Sequence, residues 1–474
     1  MAQHAIIESL NVTQSPSKLG NELTKTTFVK PKAVFTEGST MRHVVVMTLT
    51  GTIGLMAIFL VDLLSLIYVS HLGDTFLTAA VGYASTVMFF AMSINIGMVI
   101  ATTAVVARAL GAGDREGARR LAASSLTHTL ILSGLVTITF LIFRDNALAA
   151  IGARGQAFTV ASNFLVITLP ANLLMALGMG FSGILRAAGD ARRAMNVTLF
   201  GGLVTAFTDP LFIFGLGFGV YGAAIAIVIS RFVFFGVGYY GAVGVHKLVG
   251  VPDSTAVWLD TRHVALIAGP AILTNLATPF GNSYAMRVFS EFGESAIAAF
   301  AVIDRITPVA FGVIFALTGS LGPVISQNLG ARLMPRVRQT LNDAFTFTLA
   351  YVAAVWALLW LCSPLIVKAF GLSGETADVL VFYCNFGAGL WLFLGSLFVA
   401  NTAFNNLGFP IYSTFFNWGR ATLGTIPFVT VFAAHWGVKG GMMGALAGTA
   451  VFGTLAVLTA YFAVARLTRR ISAV

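Results

Sequence analysis

Three aspartates stand where a carboxylate is hard to keep. Asp62, Asp209 and Asp304 each fall inside an apolar run long enough to cross a bilayer. A charge in hydrocarbon costs several kcal/mol, so an acid at that depth marks a candidate site. Asp62 lies eight residues before the end of its run at Ser70, and Asp209 eight before the end of its run at Gly217. At 1.5 Å per helical residue, both carboxylates sit about 12 Å below the same surface. Two carboxylates at one depth can share a proton or coordinate a cation. Pro210 follows Asp209 directly and removes a helical hydrogen bond at the same point.

The elements that position these acids follow from composition. Of 474 residues, 57% are hydrophobic and only 10% charged, against roughly 25% charged in soluble domains. Such a chain cannot cover itself with polar groups, so lipid is its solvent. Runs of membrane-crossing length occur twelve times, at 44–70, 75–106, 121–143, 157–183, 194–217 and 220–245, then at 264–290, 295–326, 340–361, 376–403, 412–434 and 438–465. Each is expected to be a helix, which satisfies its own backbone groups in hydrocarbon. The predicted fold is therefore an all-α integral membrane protein of twelve transmembrane helices.

Twenty of the 28 lysines and arginines fall in the N-terminal tail, in the connections after even-numbered spans and at the C-terminus, against four in the other connections. The positive-inside rule then puts both termini in the cytoplasm, in a bacterial inner membrane. Scattered in this way, the net charge of +10 describes topology and predicts no nucleic-acid partner. Residues 1–43 read as a disordered cytoplasmic tail, 246–263 as a cytoplasmic linker and 466–474 as a second tail. Cys362 and Cys384 both fall in apolar runs and offer no disulfide framework. The seven histidines form no metal-ligand cluster, and neither metal nor cofactor is predicted.

The chain also repeats itself at a spacing of about 219 residues. "SHLGDTFLTAAVG" from Ser70 returns as "SEFGESAIAAFA" from Ser290, "ALGAGDREGARR" from Ala109 returns as "NLGARLMPRVRQ" from Asn328, and "GVYGAA" from Gly219 returns as "GVKGGM" from Gly437. Gly111 matches Gly330 in this register. Each copy holds six spans, an even number. The two lobes, 44–245 and 264–465, are therefore parallel repeats about an axis along the membrane normal, with a cavity between them. Alternating access is the natural use of such a pair, in a monomer.

The second copy sorts the acids. Asn282 aligns with Asp62, and "TIPFV" with Pro427 but no acid aligns with Asp209–Pro210. Pro210 therefore reads as architectural and Asp209 as particular to the first lobe. Secondary candidates are Arg231, predicted about one helical turn deeper and able to pair with Asp209, and Asp304 and Arg305, with a structural pairing to another helix as the alternative role for Asp304. Arg287 and Glu291, four apart, suit a local ion pair. The 40 phenylalanines and 14 methionines suit a cavity for lipophilic cations, since Met-rich surfaces adapt to varied ligands. Most of them simply face lipid or fill gaps.

The chain resembles the multidrug and toxic compound extrusion (MATE) family of cation-coupled exporters, from about Met41 to Ala465. The likeness rests on "VDLLSLIYVSHLGDTFLTAAVG", "VVARALGAGDREGARR", "GILRAAGD", "TDPLFIFGLGFGVYGAA", "AIAAFAVIDRI", "SQNLGAR" and "AFNNLGFPIYSTFFNWGR", in order. It implies two six-helix lobes rocking about a central cleft, and antiport of lipophilic or cationic compounds outward against an inward proton or sodium gradient. It also assigns cation coupling to Asp62 and Asp209.

Two positions depart from the family pattern. Thr205 stands where an asparagine is common, and Ile227 where a threonine is. Both missing groups are oxygen ligands suited to sodium, which wants several oxygens; Thr205 can replace one and joins Asp62 and Asp209 as a cation-coupling candidate, whereas Ile227 can replace none, so proton coupling is favoured. Span 1 has no internal proline, so any bending there falls to Gly51 or Gly54. Among alternatives, a lipid-linked flippase of the wider superfamily would want a strongly cationic central cavity. A major facilitator transporter would share the loop resemblance of "GAGDREGARR" but has no place for "TDPLFIFG". An intramembrane aspartyl protease would need acids in Y-D and G-x-G-D contexts, whereas here they stand in "LVDLL" and "FTDPL".

Overall fold

The computed structural model describes residues 33–472, which are helical apart from short connections. Spans 1 to 3 are Thr40–Ser70, Thr75–Gly111 and Arg115–Ile142. Span 4 is broken: Gly155–Thr168 and Asn172–Ala187 meet at 52°, with Pro170 in the joint unable to supply a helical N–H. Span 5 runs over Ala191–Pro210 and continues as a π-helical turn, Leu211–Gly215; span 6 is Val220–Tyr239 with a second π-turn, Tyr240–Val245.

The second lobe starts with Ser254–Ser290, Glu294–Gly330 and Met334–Ala369 as spans 7 to 9. Span 10 joins Gly374–Phe382 to Trp391–Leu407 through a π-turn at Tyr383–Gly387 and a short 3-10 turn. Span 11 opens with Pro410–Gly419, passes a π-turn at Arg420–Gly424 and resumes at Ile426. Span 12 follows a kink at Trp436 and Gly437 (φ 60°) and reaches Ser472. The twelve predicted spans are all present, most of them longer than the apolar runs because polar ends continue the helices.

Three predicted boundaries change for that reason. Residues 33–43, assigned to a disordered tail, are ordered: Val34–Thr36 is a 3-10 turn, and Ser39 caps the helix that starts at Thr40. Residues 1–32 of that tail lie outside the described residues. The linker 246–263 is half helix, because Asp253 caps span 7 by accepting from the N–H groups of Thr255 and Ala256. The tail 466–474 continues span 12 as far as Ser472.

The turns at the basic end explain the repeated sequence. Gly113 (φ 77°) and Gly189 (φ 85°) end spans 2 and 4 in the left-handed conformation that glycine adopts cheaply. Asp114 and Asp190 follow at once and cap the next helices by accepting from Gly117 N and Arg193 N. The second copy keeps the backbone: Arg332 (φ 60°) replaces the first glycine and Gly408 (φ 91°) repeats the second at the equivalent turns.

Asp190 also accepts from His246 Nε2 at 2.8 Å and Arg193 Nη1 at 2.5 Å. Burial pushes its carboxyl up, but the Arg193 amide, His246 and the Arg193 guanidinium outweigh this and hold it below the ordinary carboxylate value. Its contribution to stability is therefore full at neutral pH and fades as the pH falls below about 4. Asp190→Asn is expected to flatten the acid limb of apparent Tm against pH, and Asp190→Ala to cost a further ~1 kcal/mol as a lost cap. An unchanged acid limb in Asp190→Asn would place the acid sensitivity elsewhere.

The lobes meet with pseudo-twofold logic. Span 1 packs on span 8, its counterpart span 7 packs on span 2, and spans 2 and 8 meet at the centre. This seam lies at the basic end. There Val44 joins a second-lobe core with Leu317, Leu321 and Phe404, and Val264, Ile267 and Ala268 join a first-lobe core with Met98 and Phe181. The cores of the opposite end each stay within one lobe. The bundle is closed at its basic end and parted at the other.

Candidate coupling site and central cavity

Asp209 is 1% exposed. Its Oδ2 accepts a hydrogen bond from Ser65 Oγ on span 1, while its Oδ1 is buried without a partner among the described residues. A carboxylate oxygen with no donor in a buried place is a vacancy for a proton or a cation. Ser65 is three residues beyond Asp62 and on the same helix face. Asp62 itself stays accessible. Its charge interacts with both Asp209 and Arg231. The predicted pair at matched depth is thus brought together, with Ser65 as the link.

Sequence reasoning passed over Ser65, although its i, i+3 spacing from Asp62 was a usable signal. It also offered Asp209 as the partner of Arg231, whereas the charge that Arg231 interacts with is that of Asp62, with no ion pair within 4.0 Å among the described residues. The guanidinium carbon of Arg231 lies 5.4 Å from the Phe234 ring centroid.

The π-turn after Pro210 is where the helix accommodates the missing N–H, and π-turns recur at functional sites. In span 11 the π-turn comes before Pro427 rather than after it. Thr205, one turn before Asp209, is buried and donates its hydroxyl to Gly201 O at 3.1 Å, an acceptor that Ser230 Oγ also uses. Ile227 packs in the apolar core of the lobe and offers no oxygen ligand from its side chain.

The remaining predicted residues are placed less centrally. Asp304 and Arg305 are exposed and make no ion pair with described residues, so the proposed structural pairing of Asp304 is absent. Arg287 and Glu291 likewise do not pair; both are exposed, where holding two long side chains together gains little. Asn282 is exposed on span 7. Span 1 runs unbroken through Gly51 and Gly54. Gly54 serves close approach in this conformation, since a Cβ there would stand 2.1 Å from Thr198 Oγ1, whereas one at Gly51 would make ordinary contact, 3.5 Å from Ser320 Oγ.

Between the lobes, on the basic side of the acids, lies a cavity of about 310 Å³. Met47, Met92, Met175, Met179 and Met195 line it, and Arg186 is its one charged lining residue. Arg186 falls in the positive-inside tally as a loop residue after span 4. The structure makes it the penultimate residue of the helix Asn172–Ala187.

The floor of the cavity is sealed by contacts across the seam. Arg108 Nη2 donates to Asn406 O at 2.7 Å, and Gln327 Nε2 to Ala187 O at 2.7 Å. The Val34–Thr36 turn reinforces it: Phe35, 1% exposed, donates from its N–H to Gln327 Oε1, and its carbonyl accepts from Asn328 and Arg336.

Twelve apolar helices in two matched lobes, with a closed end, an open end, a cavity between and a carboxylate pair in one wall, define a multi-pass membrane transporter. The chain belongs to the MatE family, whose model matches residues 52–211 and 270–431, one copy on each lobe. It is 28% identical over 409 residues to the FAD transporter of Shewanella oneidensis, covering 83% of this chain and 88% of that one. It is 23% identical to the probable multidrug resistance protein NorM of Thermotoga maritima, over 80% of this chain and 83% of that one. The Vibrio cholerae MATE transporter VcmN in its bent form superposes with a TM-score of 0.84 at 24% identity, over 91% and 98% of the two chains. That likeness carries the fold. Twelve helices in two parallel repeats are as the sequence predicts.

Proposed function

We propose that this transporter exports small lipophilic compounds, lipophilic cations among them, from the cytoplasm by antiport with protons. The observation that supports it most is the unpartnered Oδ1 of buried Asp209, bonded through Ser65 to the helix that carries Asp62. In the conformation described, the bundle is parted on the side of this pair and closed at its basic end. The basic end faces the cytoplasm of a bacterial inner membrane, with both termini on that side. Protons entering from outside neutralise the pair. Neutral carboxyls remove the cost of closing the outer halves over them, and closure there opens the basic end to load cargo. Each monomer holds both lobes and the whole site.

Protons fit the site better than sodium. A sodium ion wants several oxygens. Here Thr205 offers a single hydroxyl oxygen, its hydrogen being held by Gly201 O, and Ile227 supplies no side-chain oxygen. The test is ethidium efflux from proteoliposomes under a pH gradient alone and a sodium gradient alone. Efflux is expected with the pH gradient and absent with sodium. Efflux driven only by sodium refutes proton coupling, and none under either gradient refutes antiport.

A further inference from the structure

The guanidinium of Arg186 has no anionic partner. It makes no ion pair within 4.0 Å of any described carboxylate, and no carboxylate lines the cavity. Its Nη1 donates to Ser182 Oγ at 3.0 Å, but its Nε is buried with nothing to donate to. A charge so placed costs free energy until something of opposite sign meets it. The neighbouring polar groups point the same way. Thr103 Oγ1, also on the cavity wall, is buried without a partner. Asn405 Oδ1 accepts from Ser413, while its Nδ2 makes no hydrogen bond among the described residues. Among the described residues, the cavity wall therefore carries an N–H of a cation, an amide N–H and a hydroxyl with free capacity.

Gly319, a residue of the other lobe, stands beside the guanidinium. A Cβ added at Gly319 on span 8 would come to 3.8 Å from Arg186 Nε, with nothing else within 4 Å. Most of the rest of the wall is apolar, including the five methionines, which shape themselves to flat hydrophobic bodies, with Thr198, Thr318, Ser320, Thr402 and Asn406 as its further polar residues. A volume of about 310 Å³ suits a molecule of two or three fused or linked rings.

We infer that this cavity is a binding site for small aromatic amphiphiles bearing one anionic group, a sulfonate, carboxylate or phosphate, with the anion on Arg186 and Asn405 and the rings among the methionines. As cargo recognition this rests on the export reading above, and it adds a substrate class of opposite sign to the lipophilic cations. Binding, unlike export, needs no gradient.

The test compares 1-anilinonaphthalene-8-sulfonate with N-phenyl-1-naphthylamine, the same skeleton without the sulfonate. Both are titrated by fluorescence into the protein in phosphatidylcholine nanodiscs, with empty nanodiscs subtracted. Arg186→Gln is expected to weaken the sulfonate probe about tenfold, the scale of one charge-assisted hydrogen bond, while the neutral probe changes less than twofold. Arg186→Lys, which keeps charge but not the planar fork, should fall between. Gly319→Asp, which sets a carboxylate beside Nε, should abolish the sulfonate preference and serves as the independent variant should Arg186→Gln unfold. Equal weakening of both probes, or an unchanged sulfonate affinity in Arg186→Gln and Gly319→Asp, would overturn the assignment. Asp62→Asn keeps sulfonate binding if the two sites are separate, so failure of coupling and failure of this site are told apart.

Discussion

Asparagine at position 209 is expected to stop coupled efflux while leaving the bundle folded. The substitution is nearly isosteric, and it replaces a buried ionisable group whose Oδ1 has no partner by a neutral amide. Removing an uncompensated buried charge does not destabilise a core, so apparent Tm should hold or rise slightly. The amide still accepts from Ser65, but it cannot take up and release a proton. Efflux of ethidium under a pH gradient should fall at least tenfold, and Asp62→Asn should behave alike, since its charge interacts with that of Asp209. The double variant should be no worse than either single one if the two act as a unit. Gradient-driven efflux in Asp209→Asn at more than half the wild-type rate would sink the site assignment.

The second large effect is steric and lies at the opposite end. Gly111 on span 2 and Gly330 on span 8, matched residues of the two repeats, face each other's helices across the seam. A Cβ at Gly330 would stand 2.1 Å from Arg108 O, and one at Gly111 2.1 Å from Gln327 O. These are backbone atoms, which no rotamer change can move aside. Gly330→Ala must separate spans 2 and 8, at a cost of about 1–3 kcal/mol to the closed basic end. That shifts the balance toward the form open on that side by roughly five- to 150-fold. With Cys362 and Cys384 replaced by alanine and Ser326→Cys as reporter, N-ethylmaleimide labelling should rise severalfold in Gly330→Ala. Ser326 is fully buried at present. A reporter that stays protected would show that the seam yields elsewhere.

These two predictions differ in how far they were legible beforehand. Asp62 and Asp209 were readable because a carboxylate in an apolar run is rare enough to be noticed one residue at a time, and a count of residues to the helix end gives depth. The match of Gly111 with Gly330 was also readable, as a repeat. That the two touch was not, because contact across a pseudo-axis depends on how closely the lobes dock. The turn at Val34–Thr36 was misread for a related reason. Its apolar run, Ala33 to Phe35, is only three residues long, and it holds its shape through Gln327, Asn328 and Arg336, nearly 300 residues away.

By itself the sequence determined the solvent, the number of spans, the internal duplication and which residues had to be exceptional. Each of these follows from local hydropathy, periodicity and self-similarity. Tertiary structure alone decided the partners. Ser65 rather than Arg231 bonds Asp209, Asp304 stands without a salt bridge among the described residues, Gly54 makes room instead of bending, and Arg186 leaves its loop to face the cavity. Hydrogen bonds and ion pairs act over a few ångströms between atoms that may be far apart in the chain, and only the docking of helices sets those distances.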